Sequence, residues 1–155
     1  MGRKENAEEL FTQGYNCAQA VFLAYADCMN MDEKTAAKLA SSFGGGMGCL
    51  REVCGAVSGM FMVTGMLYGY DDPKVPEEKK EHYRKIQELA AKFKEQNGSI
   101  VCRELLGLDG GENRRTPELR TAEYYKKRPC RELVGMAADI LETAMLEWDR
   151  ANEGK

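Results

Sequence analysis

Val53-Cys54-Gly55-Ala56-Val57-Ser58-Gly59-Met60-Phe61-Met62-Val63-Thr64-Gly65-Met66-Leu67-Tyr68-Gly69-Tyr70 contains no charged side chain. Its length reaches the lower limit of about 17 residues for a membrane-spanning helix. Four glycines, Ser58 and Thr64 dilute its hydrophobicity, so it reads instead as the buried central helix of a bundle. No membrane insertion is expected. The remaining segments are amphipathic and must supply the faces that cover it.

Upstream, Glu5–Met29 places Ala7, Leu10, Phe11, Ala18, Val21, Phe22 and Tyr25 at helical spacing. Gly14 is positioned to split this run, with Asn16 as the cap of a second piece. Asp32 caps a helix reaching Phe43, whose apolar stripe is Ala36, Leu39, Ala40 and Phe43. Gly44-Gly45-Gly46-Met47-Gly48 then breaks the helical pattern. Downstream, Pro73 and Pro76 mark a loop, and Glu77–Gln96 is amphipathic, with Asn97–Gly98 as its stop. A short helix is expected over Ile100–Leu106 and a polar loop over Asp109–Thr116. The last helix runs from about Pro129 to Arg150, with Leu133, Val134, Ala137, Ile140, Leu141, Ala144, Met145 and Trp148 as its stripe. No segment sustains strand alternation. The prediction is an all-α, single-domain helical bundle over residues 1–155.

Composition narrows the function classes. With 43% hydrophobic and 30% charged residues the chain is globular, and its net charge of −3 argues against nucleic-acid binding. Arg114–Arg115 and Lys126–Lys127–Arg128 are short and flanked by acids, so they read as solvated surface. The opening residues are charged and lack an apolar signal core, which points to the cytoplasm, where thiols stay reduced unless they bind metal or carry redox chemistry. His82 is the sole histidine and lies on a polar helix, so histidine-based hydrolysis or transfer is poorly supported.

Chemistry therefore falls to Cys17, Cys28, Cys49, Cys54, Cys102 and Cys130. None form a C-x-x-C pair, which removes the ordinary zinc-ribbon and thioredoxin patterns. Cys54, Cys102 and Cys130 fall near predicted helix starts, and Cys17 joins them if the helix begins after Gly14. There the dipole and free N–H groups favour a thiolate. Cys102-Arg103-Glu104-Leu105-Leu106-Gly107-Leu108 is echoed by Cys130-Arg131-Glu132-Leu133-Val134-Gly135-Met136, which suggests two similar thiol environments. Cys28 and Cys49 read as small core fillers. On one continuous helix Cys17 and Cys28 would lie about 16 Å apart, too far for one metal site.

The glycine-rich approach leads to Cys54-Gly55-Ala56-Val57-Ser58-Gly59, whose small residues let another helix, a second thiol or a cofactor come close to Cys54. This segment resembles the C-G-A-x-x-G signature of the C_GCAxxG_C_C proteins, a family described as redox-active. Their four characteristic cysteines, one early, one in the signature and two later, are matched in order by Cys17, Cys54, Cys102 and Cys130. The resemblance spans about Leu10 to Val134 and implies a helical, cysteine-based redox or metal protein.

Three readings follow. An iron–sulfur cluster for electron transfer would be held by Cys17, Cys54, Cys102 and Cys130, with Gly55 and Gly59 leaving it room. A metal-free thiol–disulfide centre would use Cys54 as the attacking thiol, with Cys49, Cys102 or Cys130 resolving, and a redox partner protein not identifiable from sequence. A zinc-clamped or simply cysteine-rich module would serve structure or partner binding. The G-x-x-x-G spacings at 55/59 and 65/69 permit close helix contact, within one chain or in a homodimer.

Overall fold

The computed structural model describes residues 2–108 and 119–153. The expected loop at Asp109–Thr116, with Arg114–Arg115, lies outside them, as do the side chains of Lys126 and Lys127. Among the described residues the chain is all-α: the one extended contact is an isolated antiparallel bridge between Val53 and Val101.

The expected N-terminal run is split into three helices, α1 (Arg3–Thr12), α2 (Cys17–Leu23) and α3 (Ala26–Met29). Asn16 forms a full capping box with Gln19, each side chain meeting the other's backbone N–H, which starts α2 at Cys17. Cys17 and Cys28 thus sit on different helices. Helix α4 (Glu33–Ala40) starts at Asp32, whose carboxylate accepts from the Thr35 N–H. The expected stripe is only partly buried there: Ala36 and Ala40 are fully covered, while Leu39 is 49% exposed. A 3-10 turn, Ser41–Phe43, follows.

The glycine run, α5 (Gly44–Met47), is itself a left-handed path from Gly45 onward. Gly45, Gly46, Met47, Gly48, Cys49 and Arg51 all have positive φ. Three of those residues carry side chains, and such backbone costs on the order of 1 kcal/mol or more per residue. The strain is held by main-chain bonds: the Arg51 N–H donates to the Gly45 carbonyl and the Glu52 N–H to that of Gly46.

Helix α6 (Gly55–Tyr68) is the central helix, buried over its first two turns and emerging toward Met66, which is 51% exposed. Gly59 lets α2 approach: a Cβ there would come within 2.9 Å of the Val21 Cβ and 3.0 Å of the Ala18 carbonyl oxygen. Among the described residues no helix is long and apolar enough to cross a membrane.

Pro76 opens α7 (Pro76–Asn97), and Gly98 closes it in the left-handed conformation (φ 86°). Leu89 and Phe93 are its buried face, while Tyr83 of the expected stripe is exposed. His82 is half-buried between the Tyr70 and Tyr83 rings rather than fully solvated. Beyond α7 come α8 (Cys102–Leu105), α9 (Ala122–Lys127) and α10 (Cys130–Glu153). The long helix α10 lies mainly along α1, as α6 lies along α2. Its buried stripe (Leu133, Val134, Ala137, Ile140, Leu141, Ala144, Trp148) follows the sequence pattern, with Met145 half-buried. The buried Tyr25 hydroxyl donates to the Ala138 carbonyl at 2.7 Å, fastening α10 to the N-terminal helices.

Candidate functional site

Four helix starts converge beside the glycine turn. Cys17 is the first residue of α2, Cys102 of α8 and Cys130 of α10, while Cys54 immediately precedes α6. All four line one cavity of about 330 Å³, together with Cys49, the glycines at 44–46 and 48, Gly55, and the side chains of Arg51, Arg120 and Tyr124.

Two devices bring these thiols together. The first is the Val53–Val101 bridge, around which the Cys54 N–H donates to the Ile100 carbonyl (2.8 Å) and the Cys102 N–H to that of Glu52 (2.6 Å). It sets Cys54 and Cys102 side by side on the cavity floor, and the Arg103–Glu52 ion pair (2.9 Å) ties the same two segments at the surface. The second is close packing at glycine. A Cβ on Gly55 would lie 3.0 Å from the Cys17 Cβ, and one on Gly46 would lie 2.6 Å from the Cys102 Cβ.

The opposite wall is built by the residues around α9. Arg120 donates to the Phe11 (2.6 Å) and Tyr15 (2.8 Å) carbonyls at the end of α1, and its guanidinium stacks 4.0 Å over the Phe11 ring. This holds Tyr124 and Cys130 against Cys17. The side chains of Cys17 and Tyr124 both act on the Cys130 thiol.

The four thiols are electrostatically unequal. Hydrogen bonding from Cys17 is the main reason that Cys130 is lowered to about 7; Tyr124, Arg128 and Arg120 add to it. Cys17, the donor in that pair and buried as well, is pushed well above the ordinary thiol range. Burial raises Cys54 to about 12, although the N–H groups of Ala56 and Val57 at the start of α6 oppose it. Burial also raises Cys102, against the pull of Arg51, whose Nη1 lies 3.7 Å from the Cys102 sulfur. The expectation of Cys54 as a low-pKa attacking thiol is therefore corrected. The helix N-terminus is present, but loss of water outweighs it. Of the four, Cys130 is the one that its neighbours lower.

Further expectations change. Gly59 touches Val21 and Ala18 and does not line the cavity, so it is a helix-packing position rather than part of a cofactor cradle; Gly55 does both. Cys49 is no core filler, since it lines the cavity, and Cys28 is exposed beside Arg3 (2.9 Å) and Asp27. Sequence reasoning missed Arg51, Arg120 and Tyr124. Nothing in their spacing flags them, because each reaches the cavity only through tertiary contacts.

A single metal ion does not fit the thiols as they stand: among the described residues no three Cys, His, Asp or Glu side chains are grouped closely enough to hold one. A structural zinc needs four ligands around one ion, an arrangement these side chains do not make.

Such a chain belongs to a class of helical proteins with cysteines gathered from distant segments around one recess. The sequence pattern of the family described as "Putative redox-active protein (C_GCAxxG_C_C)" matches residues 15–144, and the protein belongs to that family. An uncharacterized protein of Archaeoglobus fulgidus is 28% identical over 145 residues, covering 88% of this chain and 89% of its own. No solved structure matches.

Proposed function

We propose that the protein is a thiol–disulfide redox protein in which Cys130 attacks and Cys17 resolves. One observation carries this reading: Cys17 and Cys130 begin two helices that open on one cavity, each side chain shifts the other's titration, and Tyr124 acts on Cys130 as well. A Cys130 pKa lowered to about 7 is close to the optimum for an attacking thiol at neutral pH, which balances thiolate fraction against nucleophilicity.

The exchange proceeds in two displacements. The Cys130 thiolate attacks one sulfur of a disulfide, forming a mixed disulfide and expelling the other sulfur as a thiolate. Cys17 passes its proton to that leaving thiolate and attacks the Cys130 sulfur. The second thiolate departs and takes up a proton. The products are a Cys17–Cys130 disulfide and two small thiols, so two electrons pass from the pair to the incoming disulfide. Cys54 and Cys102, protonated and buried, line the floor. In a reducing cytoplasm the resting form is the dithiol.

An iron–sulfur cluster on Cys17, Cys54, Cys102 and Cys130 is the second reading, favoured by their sharing one cavity and disfavoured by the lack of a compact ligand group. One preparation separates the two. Protein purified without oxygen is assayed for iron and acid-labile sulfide, then oxidised with a small disulfide and mapped by mass spectrometry. The thiol reading expects no stoichiometric iron, a mass loss of two protons, and a peptide linking Cys17 to Cys130. Stoichiometric iron and sulfide, both lost in Cys54→Ser, would replace it with the cluster.

A further inference from the structure

Arg51 is the least explained residue in the cavity. Only 8% of it is exposed, and its Nε is buried with no hydrogen-bond partner. Among the described residues its one side-chain hydrogen bond goes to a thiol, Cys102. Burying a guanidinium is costly, and buried charges are ordinarily paired with carboxylates. Arg51 has no carboxylate partner among the described residues, although Glu52 is its neighbour in sequence and is spent on Arg103. Arg120 lines the same cavity, and no aspartate or glutamate among the described residues does. Gly45 lines the cavity beside Arg51: a Cβ there would meet the Cys49 sulfur at 2.8 Å and lie 3.9 Å from the Arg51 Nη1.

A recess of about 330 Å³ is at the small end of the range for small-molecule sites, and too small for a folded partner to enter. We propose that it binds a small disulfide bearing carboxylates, one carboxylate taken by Arg51 and the sulfur pair presented to Cys130. This rests on the thiol–disulfide reading above and names its substrate class. The exchange is the two-displacement sequence already given: the acidic disulfide is reduced to two acidic thiols as Cys17 and Cys130 are oxidised to a disulfide. A guanidinium offers a carboxylate two parallel N–H donors, a match that neutral or cationic disulfides cannot use.

The test compares three disulfides of similar size and different charge: 3,3′-dithiodipropionate, 2-hydroxyethyl disulfide and cystamine. Each rate of Cys17–Cys130 oxidation is divided by that of the same disulfide with a free small thiol. Binding of suberate, which has the shape of dithiodipropionate without its sulfurs, is measured by calorimetry on the reduced protein. The expected result is a corrected rate about tenfold or more higher for the dianion than for the neutral compound, with cystamine slowest. Suberate binds and competes. Arg51→Met flattens the ranking and Arg51→Lys keeps part of it. Equal corrected rates, with no suberate binding to the wild-type protein, overturn the proposal. If Arg51→Met fails to fold, the wild-type ranking and suberate decide alone. If none of the three disulfides oxidises the pair, the thiol–disulfide reading itself has failed, and suberate still settles whether the cavity is an anion site.

Discussion

The Cys17–Cys130 pair and the Cys54–Cys102 pair face the same cavity, and all four thiols stand at helix starts, yet only one of them is lowered in pKa. On the floor, the thiols of Cys54 and Cys102 are deeply buried and pushed up in pKa. At the wall, Cys130 is also substantially buried, but its interactions with Cys17 and Tyr124 outweigh that burial. A helix terminus contributes only partial charge, and α8, at four residues, has little dipole to offer. Donors placed on the sulfur decide the outcome, and helix position alone does not.

The sharpest way to break this contrast is to exchange serine for cysteine on each side. Cys130→Ser is expected to abolish disulfide formation, and Cys17→Ser to leave a stable mixed disulfide on Cys130, both read by intact mass. Cys54→Ser should still form the Cys17–Cys130 disulfide while losing about 1–3 kcal/mol of stability, since a buried hydroxyl replaces a buried thiol. Loss of disulfide formation in Cys54→Ser would move the chemistry to the floor.

Next in size, Gly46→Ala strikes the scaffold of the floor alone. The new methyl meets the Cys102 Cβ and the Glu52 nitrogen (2.8 Å) on a backbone with φ of 70°. Urea unfolding should show a loss of about 3 kcal/mol, from overpacking and left-handed strain together. The pH midpoint of Cys130 alkylation should stay where it was.

The smallest effect is Tyr124→Phe, which removes one donor from Cys130. Iodoacetamide labelling of that thiol should have its midpoint near pH 7 in the native protein and about one unit higher in the variant. The sign is fixed by linkage. Because folding depresses the Cys130 pKa, its contribution to stability is full above the unfolded thiol's range and is lost as pH falls through about 7. Cys54 acts in the opposite sense, and its contribution fades only as pH climbs toward 12.

Much of this architecture was legible. The Asn16 cap, the Asp32 cap, Gly98 and the stripe of α10 are local signals, and each marks a helix where the chain has one. The four family cysteines were identifiable by order and by their places at helix starts. Their relative reactivity was not, because it depends on which side chains arrive from elsewhere. Tyr124 and Arg120 come from a segment far from Cys17, and Arg51 is turned inward by a backbone that only the glycine run permits. The echo between 102–108 and 130–136 illustrates the limit. Both copies start a helix, and both arginines pair with a glutamate on another segment, Arg103 with Glu52 and Arg131 with Glu8. The sulfurs nevertheless sit in opposite environments.

The pairing of Cys17 with Cys130 also has a consequence in time. At ribosomal speeds of about 5–20 residues per second, on the order of ten seconds separates the synthesis of the two cysteines. Through that interval Cys17 has neither its partner nor the wall that Arg120 anchors, and any oxidant present meets it as an isolated thiol. The recess is complete only when α10 emerges and closes it from the far end of the sequence.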